Sequence, residues 1–171
     1  MEHRVFRDIV DYLRPGDLLV ANESRVIPAR LFGQKDGTGG KLELLLLRKI
    51  DPERWTCLIG GARTRVGTRI RFYAGDALSA LSATVRDTAD RGERVIEFSE
   101  PVEGYFGDLG VMPLPPYIHE PLSDPERYQT IYSRTEGSAA APTAGLHFTP
   151  ELMLRLRDIG MFPNVRPSWN L

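Results

Sequence analysis

Cysteine is almost absent from this chain. Cys57 is the only one among 171 residues, which excludes a disulfide within the chain and fits a reducing compartment. Because it lies in the largely apolar run 55–59, we expect a small, buried side chain. Long apolar stretches are also missing: residues 44–47 form a run of four, far too short to span a membrane. We therefore expect a cytoplasmic protein that does not associate with membranes.

Net charge and lysine are scarce as well. A formal net charge of −1 excludes a strong overall field that would attract nucleic acid or a membrane surface. The chain has 19 arginines and only 3 lysines. The planar guanidinium group suits phosphates and base edges, although a coding bias explains the excess equally well. Apolar residues at 42% and charged residues at 26% are ordinary for a globular protein of one domain or two small ones.

The hydrophobic pattern divides the chain into three parts. Apolar side chains in residues 2–13 have helical spacing, and residues 17–21 form an apolar run that predicts a buried strand. In residues 26–100, six or seven short strand-like runs alternate with turn signals, which predicts a small barrel or sandwich. Beyond them, helices are predicted to begin at Asp124 and at Thr149.

These parts predict a mixed α/β body that carries an inserted, barrel-like all-β module. We expect the module to comprise residues 29–112. The body is then discontinuous and consists of residues 1–28 and 113–171.

An arginine pattern stands out within the β region. If residues 63–66 and 69–73 form a hairpin around Gly67, alternate arginines share one face of the pair. Such a face could bind phosphates, but a solvated strand face is the usual meaning of the pattern and the interpretation that we favour. The four residues are Arg63, Arg65, Arg69 and Arg71.

A tight loop leads to a histidine just before a predicted helix. Small side chains and glycine fill most of residues 139–150, which allows close approach of the backbone to a ligand or to another segment. Thr149 is a good N-cap, and Pro150 suits the first helical position. An imidazole near a helix N-terminus tends to stay neutral, so His147 is a candidate base. The alternative is that it only donates a hydrogen bond within a packed loop.

Two further groups of polar residues are candidates for ligand binding. Asn22, Ser24 and Arg25 follow the predicted strand, and strand ends of α/β folds commonly bind ligands. Their alternative role is to form a turn. Arg127 and Tyr128 lie in the predicted helix that begins at Asp124, where they could hold a carboxylate or stack on a base, or where the tyrosine could pack inward.

Several long sequence segments of this chain resemble segments of one protein family. The stretch Ala-Ala-Pro-Thr-Ala-Gly-Leu-His-Phe-Thr at residues 140–149 is similar to the signature of the S-adenosylmethionine:tRNA ribosyltransferase-isomerase family of queuosine biosynthesis. Matches to several long sequence segments in the same order are far more specific than a match to one short motif. Further matches lie, in the family's order, at residues 16–20, 22–31, 38–43, 113–118 and 127–132.

The resemblance implies a transferase and isomerase that modifies tRNA. It implies that the ribosyl group of S-adenosylmethionine, the co-substrate, is moved onto 7-aminomethyl-7-deazaguanine in tRNA, which gives epoxyqueuosine and releases adenine and methionine. It further implies a monomer without a metal, built as an α/β domain with a β-barrel-like insertion. His147 becomes the candidate catalytic base. The candidate substrate-binding residues are Asn22, Ser24, Arg25, Arg127, Tyr128, Gln129, Thr143 and Gly145.

The chain departs from the family pattern at both ends. Family members begin before residues 2–13, and after residue 160 they continue with a strand and further α/β units. We therefore expect a truncated chain with a divergent tail at residues 161–171, which on its own self-associates and has little or no transferase activity. The alternative interpretation is an inactive remnant that acts at most as an RNA-binding module.

Overall fold

Most of the chain is described by the computed structural model. The turn predicted around residues 90–92 lies only partly within the described residues, and residues 162–171 of the predicted tail lie outside them. The structure describes residues 2–89, 92–115, 118, 122 and 124–161.

The chain forms two compact units, and the second interrupts the first in sequence. Unit 1 comprises Met1–Arg25, Asp124–Thr135 and Ala141–Leu171, and unit 2 comprises Val26–Ser123 and Glu136–Ala140. The predicted fold class, a mixed α/β body with an inserted barrel-like module, is confirmed. The particular boundaries after residues 28 and 112 stay a prediction.

Strands are the main regular elements of the chain, and most of them lie in unit 2. In the described part of the chain they are β1 (Ser24–Val26), β2 (Arg30–Lys35), β3 (Lys41–Lys49), β4 (Arg54–Gly61), β5 (Arg69–Ala74), β6 (Ala77–Thr88), β7 (Arg94–Phe98), β8 (Gly110–Val111) and β9 (Thr135–Ser138). A single α-helical turn, α1 (Phe106–Leu109), follows a 3₁₀ turn at Val102–Tyr105. The strands β1 and β9 pair with each other in a separate two-stranded sheet.

Six antiparallel strands close into a barrel. The order around it is β2, β3, β4, β7, β6 and β5, and β5 pairs back with β2. Gly33 takes part in both ladders of β2, opposite Leu42 on one side and Phe72 on the other. A Cβ at Gly33 would lie 2.5 Å from the carbonyl oxygen of Arg71, so closure requires a glycine at this point.

The barrel interior is filled by alternate side chains of its strands, as a small barrel requires. Register shifts in β3, β5 and β6 interrupt the ladders and bend these strands. Cys57 is fully buried, as predicted, and burial raises the pKa of its thiol far above the usual range. The largest fully buried side chains include Leu31, Leu44, Leu46, Ile70, Phe72, Leu81, Val85 and Ile96.

Unit 1 has a smaller core built around one helix. The predicted helix forms as α2 (Pro150–Asp158), with the side-chain oxygen of Thr149 accepting a hydrogen bond from the backbone N–H of Leu152 at 3.2 Å. Gly160, at φ 85°, ends it as predicted. The buried residues of this core are Leu152, Met153, Leu156 and Met161, and the apolar side chains packed on them are Phe6, Ile9, Val10, Leu13, Leu19, Ile131 and Phe148.

The predicted strand at residues 17–21 is wrong. The segment has no regular structure, and Leu18 and Val20 are 87% and 83% exposed, whereas Leu19 packs on the core of unit 1. A strand forms only where a neighbouring strand pairs with its backbone. Within the described residues no strand pairs with this run, so its apolar composition alone does not determine its structure.

Three other local predictions need correction. Residues 63–66 are not a strand, and β5 pairs with β2 and β6 instead of forming the predicted hairpin. The helix predicted over residues 2–13 is a 3₁₀ helix at Phe6–Asp11. The helix predicted from Asp124 is one 3₁₀ turn at Pro125–Tyr128. Isolated short helices are marginal, so packing and turn contacts override the local pattern.

We predict that the barrel of the Leu44→Ala variant populates an open state far more than the barrel of the Leu58→Ala variant. Leu44 is fully buried, whereas Leu58 is 41% exposed on the adjacent strand. Loss of the buried side chain should cost about 2–5 kcal/mol, which corresponds to a roughly 25-fold or greater rise in the open population. The rate at which a thiol reagent modifies Cys57 measures that population. Equal rates in the two variants would contradict the barrel interior described above.

Candidate functional site

Asn22 and Ser24 form a turn at the start of β1. The side-chain oxygen of Asn22 accepts a hydrogen bond from the backbone N–H of Ser24 at 2.8 Å. This is the turn role that the sequence left open. Asn22 is nevertheless exposed and Ser24 is half-buried, so both side chains remain open to solvent.

Arg25 joins two segments of unit 1. Its guanidinium group forms an ion pair with Glu126 and donates a hydrogen bond to the hydroxyl of Ser133 at 3.4 Å. The arginine side chain is 31% exposed and the glutamate side chain 62%. The guanidinium group is therefore paired with a carboxylate of the chain itself, which is the partner that its planar fork suits.

The turn at Pro125–Tyr128 carries the second group of candidates. The carboxylate of Asp124 accepts a hydrogen bond from the backbone N–H of Glu126 at 2.9 Å, which fixes the start of the turn. Arg127 points to solvent and Gln129 is half-buried. Tyr128 is only 7% exposed, so its ring packs inward, as the alternative interpretation allowed.

His147 ends a 3₁₀ turn at Thr143–His147 and is exposed. Its imidazole stacks on the ring of Phe6, with centroids 5.1 Å apart and planes inclined by 28°. Phe6 contacts Phe148 edge to face at 5.0 Å, and Phe148 contacts Tyr132 at 6.1 Å. One face of the imidazole is therefore held by an aromatic cluster, which restricts its orientation.

Gly145 allows this turn to approach its neighbours closely. A Cβ at this buried glycine would lie 2.5 Å from the hydroxyl of Tyr132 and 2.7 Å from the methyl carbon of Thr130. Burial raises the pKa of Tyr132, so its hydroxyl stays protonated. The hydroxyl of Thr130 is buried and has no hydrogen-bond partner among the described residues. Thr143, at the start of the turn, is exposed.

The structure therefore arranges the predicted residues of unit 1 in two groups. One is the ion pair of Arg25 with Glu126, and the other is the aromatic cluster at His147. Sequence reasoning missed Glu126 and Phe6 as direct contacts of these candidates. An acidic residue beside Arg127 and an aromatic residue in an amphipathic segment were the available signals, but only the fold shows which side chains they meet.

The described residues also bear on metal binding and on helices that could span a membrane. Within it, no three side chains of histidine, cysteine, aspartate or glutamate come close enough to hold a metal ion. None of its helices has the length and apolar character needed to cross a membrane.

Among the described residues of unit 2, two concave surfaces are each lined by three arginines, and they divide the four arginines that the sequence pattern grouped on one face of a predicted hairpin. Arg63 and Arg65 lie beside a concave surface of about 860 Å³. Arg69 and Arg71 lie beside another, of about 490 Å³. All four side chains are exposed, and the continuous stripe does not form because residues 63–66 are not a strand.

The fold and the two groups of side chains define a modular protein, in which a β-barrel is inserted into a body that presents an imidazole and an arginine–carboxylate pair. Residues 1–163 match the family model described as "Queuosine biosynthesis protein". The chain belongs to this family, which confirms the resemblance seen in its sequence.

Curated relatives carry a more specific name. A protein of Pelotomaculum thermopropionicum is 55% identical over 165 residues, and one of Symbiobacterium thermophilum is 56% identical over 166 residues. Both are named S-adenosylmethionine:tRNA ribosyltransferase-isomerase. Each alignment covers 94% of this chain and 47% of the relative, so the chain spans about half the length of the curated relatives it matches.

A solved structure is also similar. It is titled S-adenosylmethionine tRNA ribosyltransferase and comes from Thermotoga maritima. The sequences are 31% identical, the match covers 93% of this chain and 42% of that one, and the TM-score is 0.41.

We predict that Gly145→Ala displaces the turn that carries His147. The added methyl group would overlap the hydroxyl of Tyr132, at a cost of about 1–3 kcal/mol. The proton chemical shifts of the His147 imidazole should move toward values for an unstacked ring, because contact with Phe6 is weakened. Adding Tyr132→Phe removes the clashing oxygen and should partly restore both stability and shifts. Unchanged shifts in Gly145→Ala would contradict this packing.

Proposed function

We propose that this chain takes part in transfer and isomerisation of the ribosyl group of S-adenosylmethionine. The acceptor is the aminomethyl group of 7-aminomethyl-7-deazaguanine in tRNA, and the products are epoxyqueuosine, adenine and methionine. The observation that carries the proposal is the family match over residues 1–163, together with curated relatives of that name at 50–56% identity. The reaction needs no metal, and we place it in the cytoplasm.

The chemistry begins at the sulfonium group of the co-substrate. Its positive charge acidifies the adjacent ribose 5′ carbon, so a base can remove a proton there. The electron pair left on that carbon expels the ring oxygen from the neighbouring carbon, and adenine leaves with the electrons of its glycosidic bond as this oxygen becomes an aldehyde. The amine of the modified base adds to the carbon that lost the oxygen and gives up a proton. The carbon beside the sulfur then attacks the aldehyde carbon and closes a five-membered carbon ring, and the alkoxide so formed makes the epoxide C–O bond as methionine leaves with the electron pair of its C–S bond. One proton is released overall.

His147 is the base in this proposal. It is exposed, so a substrate can reach it, and its stacking on Phe6 limits the orientations of the ring. A general base has to lie within hydrogen-bond reach of the proton that it removes, and a fixed ring reduces the entropy lost in reaching that geometry.

Arg25 is a binding residue for the methionine part of the co-substrate. Its guanidinium group is half-buried and already pairs with the exposed carboxylate of Glu126. The methionine carboxylate offers the same partner chemistry and can replace Glu126, which moves to solvent. Asn22 and Ser24, in the adjoining turn, then contact the ribose hydroxyls.

The remaining candidates orient the two bases. Arg127 is exposed and can stack on or donate hydrogen bonds to adenine or the deazaguanine. Gln129 adds amide hydrogen bonds, and buried Tyr128 acts by fixing the turn. Exposed Thr143 can contact a ligand, and buried Gly145 acts by letting the turn before His147 pack on Tyr132.

We predict that His147→Asn lowers turnover by about two orders of magnitude or more, as expected for loss of a general base. The test uses a chimera in which residues 2–161 of this chain replace the matched region of the Pelotomaculum thermopropionicum relative. Adenine release is measured with S-adenosylmethionine and tRNA that carries the precursor base. Binding of S-adenosylmethionine should change little.

His3→Asn is the matched control, because it makes the same substitution at an exposed histidine outside the aromatic cluster. It should leave turnover unchanged. A chimera that releases no adenine would contradict the proposed function. If the 171-residue chain then bound tRNA, the alternative of an inactive RNA-binding remnant would replace it. Turnover unchanged by His147→Asn would remove this histidine from the mechanism.

A further inference from the structure

Three arginines surround one concave surface of unit 2. Arg63 and Arg65 come from the segment between β4 and β5, and Arg94 begins β7. The surface encloses about 860 Å³. The hydroxyl-bearing side chains of Thr64 and Thr88 also line it. The sequence pattern did not connect Arg94 with the other two, because it is about 30 residues away along the chain.

The segment that carries Arg63 and Arg65 is anchored to the barrel at both ends. At its start, the backbone N–H of Ala62 donates to the carbonyl oxygen of Lys41 on β3 at 3.0 Å. At its end, Gly67 donates to the carbonyl oxygen of Val85 at 2.8 Å, and Val85 donates back to Thr68 at 3.0 Å. The arginines therefore extend from a backbone that is held in place, which favours binding by pre-organised groups.

The turn is also closed locally. The backbone N–H of Arg65 donates to the side-chain oxygen of Thr68 at 3.0 Å, and the N–H of Thr68 donates to the carbonyl oxygen of Arg65 at 3.0 Å. Gly67 adopts φ 86°, which this turn requires. These two hydrogen bonds close the turn through backbone atoms and the Thr68 hydroxyl, and neither uses a guanidinium group.

No carboxylate lines this surface among the described residues. Neither Arg63 nor Arg65 forms an ion pair in the described part of the chain, and Arg94 donates only to the carbonyl oxygens of Gly92 and Glu93. Three positive charges on one surface that lack acidic partners among the described residues repel one another. An anion with several charges would relieve that repulsion.

The second concave surface provides an internal contrast. It also carries three arginines, but Asp36 and Glu97 line it as well. Arg86 binds Glu97 through two hydrogen bonds, at 3.0 and 2.8 Å, and this pairing lowers the pKa of Glu97. Arginines on this surface are therefore balanced by acids, whereas the described residues provide no acid at the first surface.

We propose that the concave surface at Arg63, Arg65 and Arg94 binds the phosphate backbone of RNA. Three guanidinium groups spread over an open surface match consecutive phosphodiesters better than one small anion, which would need groups that converge on a point. Exposed Val66 and the two threonines add contacts to sugars. The choice of tRNA as the ligand rests on the proposed function. The inference that this surface binds phosphates rests on the charge arrangement alone.

The test measures binding of a tRNA transcript to the 171-residue chain by fluorescence anisotropy over a range of salt concentrations. The transcript lacks the precursor base, so the result does not depend on the transfer reaction. We expect Arg63→Gln/Arg65→Gln to weaken binding about tenfold or more at low salt and to lower the slope of log affinity against log salt by about one per arginine. Arg63→Lys/Arg65→Lys should retain most of the affinity.

Arg69→Gln/Arg71→Gln is the matched control, since it removes the same charge from the balanced surface of the same unit. It should change affinity less than twofold to threefold. Equal losses in both double variants, no loss in either, or no tRNA binding by the parent chain would each overturn the inference. So would equally tight binding of polyglutamate, which carries charge without phosphates. If binding behaves as expected but the chimera releases no adenine, the proposed function fails and this surface assignment stands.

Discussion

The barrel closes at a point where there is no room for a side chain. Gly33 pairs with β3 and β5 at once, and a Cβ there would lie 2.5 Å from the carbonyl oxygen of Arg71 and 3.2 Å from the ring of Phe72. Without this contact β2 would pair on one side only, and the six strands would form an open sheet with an exposed edge. Closure of the barrel creates an enclosed interior, and the alternate, inward-facing side chains of the strands fill it.

Closure also determines where the basic segment lies. The segment after β4 is tied to β3 at Lys41 and to β6 at Val85, and both of these strands belong to the closed ring. Its arginines gain their arrangement from the barrel and not from a strand pattern of their own. In unit 1 the comparable constraint is Gly145, which lets the turn before His147 pack on Tyr132.

Features with a complete local signal were predictable from the sequence. The cap, first-position proline and terminal glycine of α2 are all contained in residues 149–160. The leucine-rich run of β3 likewise predicted a strand, in which the alternate residues Leu42, Leu44 and Leu46 are buried. The run at residues 17–21 failed because an apolar composition does not show whether a partner strand is present. Grouping Arg63 and Arg65 with Arg94 required the barrel, since only pairing of distant strands brings them to one surface.

The candidate site shows the same difference between local signals and long-range contacts. The histidine was found from its loop and its family resemblance, but its contact with Phe6 joins residues about 140 positions apart in sequence. The ion pair of Arg25 with Glu126 likewise joins segments separated by the whole of unit 2. Local patterns name the reactive side chains, whereas the long-range contacts that orient them follow from packing.

Amide hydrogen exchange in Gly33→Ala tests most directly whether closure of the barrel holds the basic segment in place. We predict that the amide of Asp36, which donates to the carbonyl oxygen of Arg69 where β2 meets β5, loses protection, and that the anchoring amides of Ala62 and Gly67 lose it as well. Gly104→Ala is the control, because a Cβ there meets nothing within 4 Å, and it should leave these amides protected. Full protection of Ala62 and Gly67 in Gly33→Ala would contradict the dependence of this segment on barrel closure.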